Sequence, residues 1–158
     1  MVEPSSTKIR ILVAESFELV NLGLRSLFEK HAIIRLIADT NSIEDLFNLT
    51  SQHNPDVILM DLLLSNQNYA EDIAKLLQIS PQSKVLAFSH HNNEQTHLQT
   101  FRSGAAGIIS KQHSSDMLLK AIYAIHTGQI WFDRNVTKLL WQAQFSSKPC
   151  AELPAAAK

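Results

Sequence analysis

The sequence predicts an α/β fold in which five parallel strands alternate with five helices, a (βα)₅ arrangement with a doubly wound sheet. Two observations support this prediction. Short apolar runs of strand length recur along the chain, and the segments between them carry apolar residues at helical spacing. Because crossovers between parallel strands are right-handed, such an alternation places helices on both faces of one sheet.

The strands are predicted from runs that are mostly apolar at consecutive positions. This pattern is typical of parallel strands that are covered on both faces. In chain order the runs are IRILVA (9–14), IIRLIA (33–38), DVILM (56–60), KVLAFS (84–89) and AGIIS (106–110).

The helices are predicted from apolar stripes at a period of about 3.6 residues between these runs. The stripes are, in order, Leu19, Val20, Leu22, Leu24, Leu27 and Phe28; Ile43, Leu46, Phe47 and Leu49; Ile73, Leu76 and Leu77; Leu98 and Phe101; and Met117, Leu118, Ala121, Ile122 and Ile125. The expected helix starts are Ser42 with Asp45 and Ser114 with Met117, and the expected stops are Ser80-Pro81 and Gly104.

The composition is that of one globular domain with tails. The chain has 158 residues, 45% of them hydrophobic, and its 14 basic side chains nearly balance 15 acidic ones, so no overall charge points to nucleic acid. The single cysteine, Cys150, excludes an internal disulfide and suits a reducing compartment. We find no signal peptide and no apolar run long enough to span a membrane, and therefore expect a cytoplasmic protein without membrane contact.

Four segments are expected along the chain. Residues 1–7 form a flexible N-terminal arm, and residues 8–128 form the α/β domain. Residues 129–145 form an extension with one short amphipathic helix in IWFDRNVTKLLWQAQF, and residues 146–158 read as a linker or tail because they carry no hydrophobic pattern.

Polar side chains stand at the carboxyl ends of the predicted strands, where ligands bind in open parallel sheets. Asp61 ends the third run within PDVILMDLLLS, where a buried carboxylate requires a compensating charge or hydrogen bond. The other four are Glu15 and Ser16 after the first run, Ser89 at the end of the fourth and Lys111 after the fifth.

This set has the chemistry of a phosphoryl-transfer site. Asp61 is the expected nucleophile, because a carboxylate can attack an activated phosphoryl group. Lys111 supplies a point charge and Ser89 a hydroxyl donor to the phosphoryl oxygens. Mg²⁺ prefers carboxylate and carbonyl oxygens, so Glu15, Asp61 and the backbone carbonyl of Leu63 are its expected ligands.

The stretches ILVAES, DVILMD, VLAFS and GAAGIISK resemble, in order and spacing, the receiver domain of two-component response regulators, over about residues 8–142. The stretch SSDMLLKAIYAIHTGQIWFDRNVTKLL is similar to the NarL/FixJ subclass. The resemblance implies a flavodoxin-like sheet of order 2-1-3-4-5, with residues 8–128 as a non-enzymatic receiver domain. It also implies that a histidine kinase phosphorylates Asp61 to control homodimerisation or a DNA-binding helix-turn-helix output domain that this chain lacks.

The sequence departs from the family pattern at four places, each one to three residues long. Ser16 stands where the family has a second acid, which predicts weak Mg²⁺ binding because Ser16 adds no charge. Ile108 replaces the family's aromatic switch residue. Leu64-Ser65-Asn66 replaces a Met-Pro-Gly turn, and His90-His91 stands where the family prefers a small residue. The alternative function is therefore a degenerate pseudo-receiver that acts as an interaction or dimerisation module without phosphorylation.

Other interpretations are weaker. The loop ESFELVNLG lacks the Gly, Ser and Thr of a mononucleotide-binding phosphate loop, and Leu63 replaces the second acid of a haloacid dehalogenase-type phosphatase. The histidines show no ligand spacing. Asp61 could instead cap a helix, and Lys111 could be a solvated strand-end lysine. The aromatic residues Trp131, Phe132 and Trp141 are expected to pack on the last helix, with a dimer or inter-domain contact as the alternative.

Overall fold

The computed structural model describes residues 8–65, 68–90, 93–132, 137–138 and 141–142. It confirms the predicted flavodoxin-like fold, a parallel five-stranded sheet of order β2-β1-β3-β4-β5. The strands are β1 (Ile9–Ala14), β2 (Ile34–Thr40), β3 (Val57–Asp61), β4 (Lys84–Ser89) and β5 (Gly107–Ser110).

Five helices connect and cover these strands. They are α1 (Glu18–Glu29), α2 (Ile43–His53), α3 (Tyr69–Ile79), α4 (Glu94–Arg102) and α5 (Ser115–His126), and a 3₁₀ turn (Leu62–Leu64) follows β3. Both predicted caps are confirmed, because Ser42 Oγ accepts from the Asp45 N–H and Ser114 Oγ accepts from the Met117 N–H, each at 3.3 Å.

The core lies on both faces of the sheet. Every residue of β3 is buried, and alternate side chains of β1 and β3 enter two separate hydrophobic clusters. The first cluster includes Leu24 and Phe28 of α1 together with α5, and the second includes Leu46 of α2 together with α3. Burial of one such side chain contributes about 1.5–3 kcal/mol, so the central strands are firmly held.

Several sequence predictions about packing are wrong in detail. Leu19 and Leu22 are 81% and 48% exposed, because the helical period turns Val20, Leu24 and Phe28 toward the core instead. The buried residues of α4 are His97 and Thr100, not its apolar pair. Met117 of α5 is also exposed, at 37%. The strand β2 begins and ends later than its apolar run, at Ile34 and Thr40.

The segment after α5 pairs with the free edge of β5. The Trp131 N–H donates to the Ala106 carbonyl, and the Ile108 N–H donates to the Trp131 carbonyl, each at 2.9 Å. The ring of Phe132 contacts Phe101 of α4, with ring centroids 5.3 Å apart, a contact that the sequence did not predict.

Beyond this segment, residues 137–138 and 141–142 are helical and Trp141 is 62% exposed. The predicted arm at 1–7, the tail at 146–158 and Cys150 lie outside the described residues. Within the described part of the chain, no helix has the length and apolar character needed to cross a membrane.

The close approach of Trp131 to β5 predicts opposite effects for two glycine substitutions. A Cβ at Gly107 would lie 2.6 Å from the Trp131 carbonyl oxygen, so Gly107→Ala should lower the free energy of unfolding by about 1–3 kcal/mol. Gly23→Ala in α1 meets nothing within 4 Å and should raise it by up to about 1 kcal/mol. Urea denaturation measures both, and equal stability of the two variants would contradict the described contact.

Candidate functional site

The carboxyl edge of the sheet brings the predicted polar residues together. Glu15 follows β1, Asp61 ends β3, Ser89 ends β4 and Lys111 follows β5. Glu15, Asp61 and Ser89 are all buried, with at most 3% of their surface exposed. These residues lie close together because the carboxyl ends of all strands in a parallel sheet lie at the same edge.

Lys111 joins two carboxylates that come from different strands. Its Nζ lies 2.9 Å from Glu15 Oε2 and 3.1 Å from Asp61 Oδ1. The side chain of Lys111 is 10% exposed, and those of both acids are fully buried. The ammonium group therefore compensates part of the charge of two buried anions, a requirement for burying them.

Asp61 accepts hydrogen bonds on both of its oxygens. Oδ2 accepts from the Ser16 N–H at 3.1 Å and from Ser16 Oγ at 2.5 Å, and Oδ1 accepts from the Leu63 N–H at 3.0 Å. Burial alone raises the pKa of Asp61, but the hydrogen bonds from Ser16, Leu63 and Lys111 outweigh burial and hold this pKa below its ordinary value. Asp61 is therefore ionised at neutral pH.

Asp61 also caps the 3₁₀ turn through its bond to the Leu63 N–H. The capping alternative is thus real, and it coexists with the ion pair to Lys111. The solvated-lysine alternative is wrong, because Lys111 contacts both acids.

At Glu15 burial outweighs the hydrogen bonds, whereas at Asp61 the hydrogen bonds outweigh burial. Burial raises its pKa above the ordinary value, and the bonds from Lys111 and from the Phe17 N–H, which lies 3.1 Å from Oε2, offset burial only in part. Its other oxygen, Oε1, is buried and has no hydrogen-bond partner within the described structure. An unpaired buried carboxylate oxygen is costly unless another group meets it.

Ser89 lies one residue beyond Phe88, the β4 partner of Asp61. Its carbonyl accepts from the Lys111 N–H at 2.8 Å, which fixes the start of the loop that carries Lys111. The structure thus brings Glu15, Ser16, Asp61 and Lys111 into direct contact, and it places Ser89 at the end of the adjacent strand.

A family profile described as the response regulator receiver domain matches residues 11–123. The chain belongs to this family. Curated relatives of this receiver domain include the transcriptional regulatory protein DegU of Brevibacillus brevis, 29% identical over 84% of this chain and 56% of that protein. The nitrate/nitrite response regulator protein NarL of Escherichia coli strain K12 is 25% identical over 82% of this chain and 60% of that protein. The chain therefore spans less than two thirds of the length of these relatives.

Solved structures share the fold of this receiver domain. A two-component response regulator of the LuxR family from Aurantimonas sp. SI85-9A1 has a TM-score of 0.77 and 23% identity, covering 87% of this chain and 98% of that one. The isolated REC domain of RcsB from Salmonella enterica serovar Typhimurium, solved with phosphomimetic BeF₃⁻, has a TM-score of 0.73 and 19% identity, covering 84% and 98%.

Receiver domains typically bind Mg²⁺ at an acidic site, and the residues of this receiver domain fit a Mg²⁺ ion with few charged ligands. Glu15 Oε1 is an unpaired, buried hard oxygen of the kind that Mg²⁺ prefers. Ser16 is a neutral group at this edge, and its hydroxyl donates to Asp61. Over the ranges that the structure covers, no cluster of three or more His, Cys, Asp or Glu side chains is suited to a metal.

The sequence prediction missed two contacts around Lys111. Its Nζ lies 5.1 Å from the ring centroid of Phe17 and 5.4 Å from that of Phe88, within range of cation–π attraction. It also missed Ser16 as a donor to Asp61. The contacts of Ser16 and Phe17 could have been predicted from the sequence, because both residues directly follow Glu15.

The structure shows the surroundings of most residues that depart from the family pattern. Ile108 is 3% exposed, and Leu62 and Leu64 of the turn after Asp61 are also buried. Ser65 closes this turn by donating to Asp72 of α3 at 2.5 Å. His90 is exposed, whereas Asn66 and His91 lie outside the described residues.

The raised pKa of Glu15 predicts a specific pH dependence of stability. As the pH falls from 7 toward 4.5, the ordinary pKa of this group, folded Glu15 binds a proton before the unfolded chain does, so the proton stabilises the folded state. The free energy of unfolding of the wild type should therefore rise relative to that of Glu15→Gln across this range. Urea denaturation at several pH values measures the difference, and a flat or falling difference would contradict the assignment.

Proposed function

We propose that this chain is the phosphoacceptor domain of a transcription-linked response regulator, with Asp61 as the residue that a histidine kinase phosphorylates. The observation that supports this proposal is the contact of Lys111 Nζ with Glu15 and Asp61, two buried carboxylates from different strands. The Lys111 ammonium lies next to Asp61 and can therefore bind the oxygens of a phosphoryl group on that residue.

The reaction follows from these residues. An Asp61 oxygen attacks the phosphorus of the kinase phosphohistidine, a new O–P bond forms, and the N–P bond breaks. The imidazole nitrogen keeps the electron pair of the broken bond and takes a proton from solvent. The lowered pKa keeps Asp61 ionised for the attack, Lys111 meets the phosphoryl oxygens, and the Ser89 hydroxyl donates to one of them.

Glu15, Asp61 and the Leu63 carbonyl would hold Mg²⁺, and Ser16 would contribute weakly. When bound, Mg²⁺ supplies positive charge that neutralises the phosphoryl oxygens. Glu15 Oε1 supports this role because nothing in the described structure donates to it.

Phosphorylation then acts on partners outside this chain. We infer control of homodimerisation or of a DNA-binding output domain in the cytoplasm, because the curated relatives are longer transcriptional regulators. One solved neighbour shows RcsB dimers bound to DNA. The domain itself is a phosphoacceptor and needs no further enzymatic activity.

A second candidate function is a pseudo-receiver that works without phosphorylation. The Ser16–Asp61 contact favours it, because both the N–H and the hydroxyl of Ser16 occupy Asp61 Oδ2. Attack by Oδ2 requires it to give up at least one of these bonds, and each bond to a charged group is worth about 1.5–3 kcal/mol.

The proposal predicts a covalent mass gain that depends on Asp61. We expect the chain to gain one phosphoryl group when it is incubated with Mg²⁺ and acetyl phosphate, and we expect Asp61→Asn to gain none. Intact-mass spectrometry measures the gain, and binding of beryllium fluoride tests the same site without covalent chemistry. Absence of both at high Mg²⁺ in a folded wild-type chain would favour the pseudo-receiver.

Substitution of Ser16 separates the two candidates further. Ser16→Asp restores an acid and removes the hydroxyl donor, so the Mg²⁺ concentration for half-maximal phosphorylation should fall by at least about tenfold. Ser16→Ala removes the donor without adding charge and should leave this concentration nearly unchanged. If Ser16→Asp behaves like Ser16→Ala, Ser16 does not limit metal binding.

A further inference from the structure

Phe17, the residue before α1, does not cap its helix, unlike the residues before the other four helices. Helices α2 to α5 follow Ser or Asn residues whose side chains accept a hydrogen bond from the first turn; these residues are Ser42, Asn68, Asn93 and Ser114. Phe17 precedes α1 with extended backbone angles and no side-chain acceptor. Phenylalanine cannot cap a helix, so α1 lacks stabilisation that the other helices have.

Phe17 is also unfavourable as a core residue. Its surface is 52% exposed, although the inward side of α1 is formed by other residues, such as Leu24 and Phe28. Neither helix capping nor core packing therefore accounts for an aromatic residue at this position. A residue that breaks local rules without a structural gain points to a functional role.

The contacts of Phe17 identify that role. Its ring centroid lies 5.1 Å from Lys111 Nζ, and its N–H donates to Glu15 Oε2, the oxygen that also binds Lys111. Phe17 thus contacts both members of one ion pair. The Phe88 ring contacts the same ammonium group at 5.4 Å.

Lys111 requires such contacts because its side chain is long and flexible. A lysine ammonium is strongly hydrated and has four rotatable carbons behind it, so it loses entropy when it is fixed. The negative face of an aromatic ring attracts a cation and excludes water from it. Two rings and two carboxylates together leave the Lys111 side chain only 10% exposed.

We propose that Phe17 is a positioning residue for phosphoryl transfer, whose ring holds Lys111 Nζ beside Asp61 Oδ1. This inference rests on the proposed phosphoacceptor function. Phe17 touches no reacting atom; it acts through Lys111, and the stability that α1 loses at its start is the cost of placing a ring there.

The test uses three substitutions of Phe17 in the full chain. Phe17→Leu keeps apolar bulk but removes the ring, Phe17→Trp keeps a ring with a stronger cation–π interaction, and Phe17→Asn supplies the missing helix cap. Phe101→Leu is the matched control, because Phe101 is a 37% exposed phenylalanine whose ring contacts Phe132 instead of a cation.

The first measurement is independent of phosphorylation. Reductive methylation of lysines, followed by peptide mass spectrometry, reports the accessibility of Lys111 relative to exposed Lys84 of β4. We expect Phe17→Leu and Phe17→Asn to increase methylation of Lys111 by about fivefold and Phe17→Trp to leave it at the wild-type level. Phe17→Asn should at the same time melt at the wild-type temperature or above it, which a merely structural role for the ring would not allow.

The second measurement is the rate of phosphorylation by acetyl phosphate. The maximal rate should fall in Phe17→Leu and recover in Phe17→Trp, whereas Phe101→Leu should match the wild type. Unchanged Lys111 methylation in Phe17→Leu, or a melting temperature that falls in Phe17→Asn, would overturn the inference. If the wild type itself is not phosphorylated, the proposed function fails, and Lys111 methylation alone then decides whether Phe17 positions the ammonium.

Discussion

Lys111 forms ion pairs with two buried carboxylates, Glu15 and Asp61, and the carboxyl edge of the sheet depends on these contacts. Two ionised acids cannot be buried side by side without a cation, because each loses its hydration and repels the other. One ammonium group lowers both costs, but it leaves one negative charge in excess. Burial raises the pKa of Glu15, whereas hydrogen bonds from Ser16, Leu63 and Lys111 outweigh burial at Asp61 and lower its pKa.

Three consecutive residues after β1 contribute in different ways to this site. Glu15 supplies a carboxylate, Ser16 donates twice to Asp61, and Phe17 places a ring over Lys111. Ser16 stabilises ionised Asp61 through hydrogen bonds, whereas a second acid at this position would add a negative charge that attracts a metal ion. Ser16 thus satisfies Asp61 without adding charge, and α1 follows Phe17 without a side-chain cap.

Most of the fold could be predicted from the sequence. The apolar runs matched β1 and β4 residue for residue, because buried parallel strands are apolar at nearly every position. The apolar run at 33–38 matched the edge strand β2 less closely, because the partly exposed side chains of β2 are less consistently apolar. The stripe of α1 included the exposed Leu19 and Leu22, because apolar composition does not tell which side of a helix meets the sheet.

The sequence by itself determined which residues share the site, because parallel strands all end at one edge and Glu15, Asp61, Ser89 and Lys111 each stand at such an end. Only the tertiary structure decided which atoms meet. The contact between Lys111 and Glu15 joins residues 96 positions apart, and the bond from Ser16 to Asp61 spans 45 positions. Such contacts depend on the twist of the sheet, the path of each loop and the chosen rotamers, none of which leaves a periodic signal in the chain.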